Sequence, residues 1–102
     1  MDTAAEQRVH EIQRGEILRY LAIVYPAWAT PKMLLYHLRD LRYPATSKTL
    51  RFHLEYLAGK GLLEVQRERE AIGEEQAVLA TRITPVGIDA LDNRTGGDLG
   101  FK

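Results

Sequence analysis

Cysteine is absent from this 102-residue chain. Disulfides, thiolate metal sites and thiol chemistry are therefore excluded, and the composition suits a cytoplasmic protein. No apolar run approaches the roughly 20 residues that a membrane-spanning helix requires. The opening stretch "MDTAAEQRVHEIQRGE" is charged throughout and lacks the apolar segment of a secretory signal. Net charge is lacking too, because 14 basic and 14 acidic residues cancel. Catalytic signatures are equally scarce. His10, His37 and His53 show no metal-ligand spacing. The glycines of "TGGDLG" have no strand before them and no helix after them, so they do not form a phosphate cradle. No internal repeat is present. The reading is of a protein that is not an enzyme, with no cofactor, metal, membrane segment or small-molecule ligand evident.

What is present is an uneven distribution of charge. Residues 1–31 sum to −1, residues 32–60 to +4 and residues 61–102 to −3. The central excess comes from Lys32, Arg39, Arg42, Lys48, Arg51 and Lys60 against Asp40 and Glu55. A nucleic-acid binder needs a basic footprint, so this middle segment is where phosphate would be met.

Length and a hydrophobic share of 45% suffice for one buried core. A single domain over residues 1–92 is expected, with "NRTGGDLGFK" (93–102) as a flexible tail. Residues 4–25 read as a long first helix, with Ile17, Leu21 and Val24 on one face beside Leu18 and Tyr20. Val9, Ile12 and Ile23 fall on another side, which either packs within the domain or forms a homodimer seam. Pro26 ends this helix, and Trp28 in the connection "PAWA" is expected at the core edge. Thr30 then caps a second helix with Pro31 in its first position. Leu34, Leu35, Leu38 and Leu41 supply its buried face. Tyr43, preceding Pro44, is pushed out of helical angles.

A third helix is expected over residues 47–60, capped by Thr46 or Ser47 and stopped by Gly61. At ~100° per residue, Leu50, Leu54, Leu57 and Ala58 point inward, while Lys48, Arg51, Phe52 and Glu55 point outward. "LLEVQRERE" then alternates Leu63 and Val65 against Glu64 and Gln66, the pattern of a half-buried strand. "AIGEEQ" reads as a turn, and Leu79, Thr81 and Ile83 alternate in a second strand. Thr84-Pro85 repeats the cap-and-proline signal and opens a short helix carrying Val86, Ile88 and Leu91. The fold class is mainly α with a small antiparallel hairpin, α+β.

Two segments carry a resemblance. Thr49-Leu50, His53-Leu54, Leu57 and Lys60-Gly61-Leu62-Leu63, followed by Ile83-Thr84-Pro85-Val86-Gly87, resemble the winged helix-turn-helix superfamily of bacterial and phage transcription regulators. The likeness spans roughly residues 15–92 and picks out no subfamily. It implies a three-helix core, a hairpin wing and a short C-terminal helix. It also implies sequence-specific binding of double-stranded DNA, with helix 47–60 in the major groove. The matching positions are Thr46, Ser47, Lys48, Arg51 and Phe52. Arg51 would read a guanine edge, while Ser47 and Lys48 would hold phosphate near the helix N-terminus. Lys32 is a candidate for the same basic patch.

Each position also has a plainer reading. Ser47 would serve only as the cap, Lys48 as a solvated charge, and Arg51 as the partner of Glu55 four residues on. An outward Phe52 needs a cover, whether a thymine methyl, a partner chain or the tail. His53 is expected at the core edge. The wing runs against the family pattern, because residues 64–75 hold five glutamates and two arginines. Arg67 and Arg69 are the wing residues available to face DNA. Two functions follow: a dimeric DNA-binding regulator, or a winged helix protein–protein interaction module without DNA binding.

Overall fold

The computed structural model describes residues 3–68 and 77–93. The elements run α1 (Thr3–Val24), α2 (Pro31–Asp40), α3 (Ser47–Gly59), β1 (Leu63–Arg67), β2 (Val78–Ile83) and α4 (Pro85–Asp92). The expected tail, the turn "AIGEEQ" and Arg69 lie outside the described residues, apart from Asn93, which caps the C-terminus of α4. The order of the elements follows the sequence reading, and the helix starts agree to within a residue, whereas β1 ends at Arg67, short of the full "LLEVQRERE" stretch. The architecture is a winged helix of α+β class.

The caps explain why the helices start where they do. The Thr30 hydroxyl accepts the Met33 amide ahead of Pro31. The Thr84 hydroxyl accepts the Gly87 amide at 3.0 Å ahead of Pro85. Such a hydroxyl satisfies one of the amides that a helix N-terminus leaves unpaired. Gly61, at φ +76°, turns the chain out of α3 in the left-handed region that L side chains avoid.

The core is layered from the inner faces of the first three helices and the root of the hairpin. Ile17, Leu18 and Leu21 of α1 meet Leu34, Leu35 and Leu38 of α2 and Leu50, Leu54 and Leu57 of α3. Leu62, Leu63 and Ile83 close it below. Burial of one such side chain contributes roughly 1.5–3 kcal/mol, so this leucine ladder is what holds α3 in place. Trp28 sits half-buried at the edge, with the Arg82 guanidinium stacked 4.4 Å over its ring.

β1 and β2 pair antiparallel from Leu63↔Ile83 onward, with a bulge opposite the Gln66–Arg67 step. The bulge corrects one expectation. Leu79 shares the parity of Thr81 and Ile83, yet it is 53% exposed. Register places Ala80 opposite Gln66 and Val78 opposite Arg67, which leaves Leu79 unpaired and turns it outward. Leu41 is also corrected: α2 ends at Asp40, so Leu41 is its C-cap and stands 42% exposed. The second stripe of α1 divides, with Val9 and Ile12 half-buried and Ile23 83% exposed. One element went unforeseen. Ala29 pairs with Thr81 through two backbone hydrogen bonds of 2.8 Å, adding a single-residue third strand to the hairpin.

Candidate nucleic-acid interface

α2 and α3 are joined by residues 41–46, too short a link for anything but a sharp crossing. Arg42 takes a left-handed conformation at φ 70°, and the Arg39 Nε donates to the Ala45 carbonyl at 3.2 Å, bracing the turn. Between Thr46 and Ser47 the structure selects Thr46 as the cap. Its hydroxyl accepts the Thr49 amide at 3.2 Å, while its own amide donates to the Thr49 hydroxyl at 3.0 Å. This reciprocal pair is a capping box with threonine in the place usually held by glutamate. Ser47 is thereby released from capping and stands exposed at the first turn, next to exposed Lys48.

The outward arc of α3 is unevenly exposed. Phe52 is 65% exposed, and Arg51 and Glu55 are half-buried. Lys32, Ser47 and Arg51 come together on one groove of about 470 Å3, floored by Leu35, Leu50, Leu54 and Val78 and completed by Tyr36 and Arg39. The Lys32 ammonium lies 5.7 Å from the Tyr36 ring centre, a cation–π contact that steadies it at the rim. Lys48 and Phe52 lie around the helix, lining a shallower hollow of about 270 Å3 with His10 and Thr49. The candidate residues therefore form two clusters, on either side of Glu55.

Glu55, weighed in the sequence as a helical partner for Arg51, is engaged from another element. Arg67 of β1 forms a fork onto Glu55, with guanidinium nitrogens 2.8 and 2.5 Å from the two carboxylate oxygens. These hydrogen bonds hold the Glu55 carboxyl below its usual pKa against a smaller opposing effect of burial, and the charges of Arg67 and Arg51 add to the lowering. Glu64 is likewise engaged, by Arg82 directly opposite on β2 at 2.7 and 2.9 Å. One wing glutamate is thus neutralised within the hairpin, while one wing arginine is engaged by α3.

Behind α3 lies a polar junction that spacing along the chain could not reveal. The His10 Nδ1 approaches the His53 Nε2 at 3.4 Å, and the same His53 nitrogen lies 3.1 Å from the Gln13 side-chain oxygen. His53 is fully buried rather than at the core edge, and among the described residues its Nδ1 has no hydrogen-bond partner. Burial, reinforced by the charges of Arg14 and His10, lowers its pKa to about 4. Beside it, the Tyr56 ring is held between Arg14 at 4.5 Å and Lys60 at 5.0 Å. Among the described residues no cluster of three or more His, Asp or Glu side chains is arranged to hold a metal, and no helix is long and apolar enough to cross a membrane.

One participant was missed in the sequence. Tyr36 stands four residues after Lys32 on one helix, a spacing that places the pair on one face. Arg67 was named for the wing, but its pairing with Glu55 was not; counting in twos from Leu63 through Val65 reaches Arg67, which sets it on the side of the hairpin facing the helices.

No protein-family model matches this chain. No curated protein matches it either. Solved structures do. A PadR-like transcription factor from Bacteroides fragilis superposes with a TM-score of 0.60 at 16% identity, over 88% of this chain and 82% of that one. A PadR family transcriptional regulator from Eggerthella lenta superposes with a TM-score of 0.56 at 23% identity, over 89% of this chain and 79% of that one. At these identities the likeness is one of fold, and the fold shared with both transcription regulators is the winged helix.

Proposed function

We propose that this chain is a sequence-specific DNA-binding regulator of transcription, acting in the cytoplasm as a homodimer, and not an enzyme. The observation that carries the reading is the groove where Lys32 of α2 meets Ser47 and Arg51 of α3. Those side chains flank an exposed helix whose first turn projects polar groups, the geometry by which a helix enters a major groove. Two transcription regulators of the same fold add weight to it. In this reading Arg51 contacts base edges, Lys32, Ser47 and Lys48 meet phosphates, and Phe52 covers a thymine methyl. Arg69 would extend the contact from the wing. The exposed Ile23 end of α1 supports a dimer seam, and a two-fold pair would set its recognition helices about 34–36 Å apart.

The test is a titration of labelled duplex DNA at about 50 and about 200 mM salt. Binding that weakens steeply with salt supports the reading. Binding absent at low salt refutes it.

A second reading, an interaction module without DNA binding, is favoured by the exposure of Phe52. Light scattering on the wild type and Phe52→Glu separates the two. An assembly unaffected by that change, alongside salt-sensitive DNA binding, dismisses the second reading.

A further inference from the structure

On the DNA-binding reading, we propose that Arg67 serves the interface as the counter-charge of Glu55 and not as a phosphate contact of its own. Glu55 occupies the middle of the outward arc of α3, between Arg51 and Lys48 on the helical wheel. A bare carboxylate there would face the negative backbone of a duplex held in the major groove. The structure supplies its neutralisation from a different element. Arg67, the last residue of β1, places two nitrogens on the two Glu55 oxygens at 2.8 and 2.5 Å, a planar fork that lysine could not reproduce. The bulge lies on the partner strand, at Leu79 of β2 opposite the Gln66–Arg67 step. The contact couples the wing to the recognition helix and removes one negative charge from the surface offered to DNA. An arginine usually assigned to the phosphate backbone is thus occupied within the protein.

Both side chains are more than a third exposed, so the substitutions leave the core untouched. Far-UV circular dichroism serves as the check of fold. The measurement is the affinity for a fluorescent mixed-sequence duplex, with its salt dependence, for wild type, Arg67→Ala, Glu55→Gln and the double variant. Arg67→Ala unmasks the carboxylate and weakens binding about tenfold at low salt. Glu55→Gln binds as tightly as wild type or tighter, because Arg67 is released. In the double variant the pair again sums to zero charge, and both affinity and salt slope return to within about twofold of wild type.

A double variant as weak as Arg67→Ala, with the slope reduced by about 0.9, would show a direct phosphate contact and overturn the proposal. So would an Arg67→Ala protein that binds normally, or a Glu55→Gln protein that binds more weakly, since the carboxylate would then be touching a base. Loss of binding in all four proteins, wild type included, strikes instead at the DNA-binding reading and takes this role down with it.

Discussion

Replacing Gly87 with alanine should destabilise this protein even though alanine is the better helix former. Gly87 lies in the first turn of α4, at the end of the Ile83-Thr84-Pro85-Val86-Gly87 segment. A Cβ at this position would clash with the Leu62 carbonyl oxygen and sit 2.7 Å from the Ile83 Cγ1. Neither neighbour can yield easily. The Leu62 carbonyl already accepts the Thr84 amide at 3.0 Å, and Ile83 is fully buried in the core. Forcing an extra methyl into packed surroundings costs about 1–3 kcal/mol, and disturbing the Leu62–Thr84 hydrogen bond adds about 1 kcal/mol. The helical preference for alanine returns about 1 kcal/mol. The net loss is about 2 kcal/mol, equivalent to a melting temperature lower by roughly 8–16 °C for a domain of this size. Thermal unfolding followed by circular dichroism reads it directly. Gly59→Ala is the control, because a Cβ there meets nothing within 4 Å. Equal melting temperatures for Gly87→Ala and wild type would refute the close-approach argument.

The remaining predictions concern pH, capping and the interface. His53 titrates near 4 when folded and near 6.5 when unfolded, so its contribution is complete above pH 6.5 and is lost as pH falls towards 4. Urea unfolding should show about 3 kcal/mol lost across that window, and His53→Gln should flatten the slope. Glu55 acts in a separate window: its lowered pKa gives stability that declines only as the carboxylate protonates, below its ordinary 4.5. Thr46→Ala breaks the capping box and should cost about 0.5–2 kcal/mol in chemical denaturation, whereas Thr46→Ser should retain most of it. Arg51→Ala should weaken DNA binding by about 1–3 kcal/mol if the side chain reads a base, with a loss that varies between duplex sequences. A uniform loss across sequences would reassign Arg51 to phosphate.

Much of the fold was legible because helices and caps write themselves locally. Thr30-Pro31 and Thr84-Pro85 announce helix starts, and a leucine every three or four residues announces the buried stripe. Leu41 was misread locally, because α2 ends one residue before it, but the larger failures depend on pairing between distant segments. Leu79 reads as an inward residue until the bulge shifts its register, and the bulge belongs to two strands at once. Ala29 forms a strand of one residue, too short for any period to appear. At the interface, the outward direction of Lys48, Arg51, Phe52 and Glu55 was readable from the helix wheel. The two-sided grouping around Glu55 was not. Arg67 lies 12 residues from Glu55, and His53 lies 43 from His10, so neither contact leaves a mark in local spacing.

The bridge between Ala29 and Thr81 has a mechanical consequence. Ala29 immediately precedes Thr30, the residue that starts α2, and Lys32 follows in its first turn. Two short hydrogen bonds thus weld the hairpin's inner strand to the start of the helix that carries one rim of the groove. Tilting the hairpin at its base would drag that rim along, so the spacing between the two arms is set as one stiff caliper. Changes confined to the far end of the hairpin can vary its reach while the jaw width stays fixed.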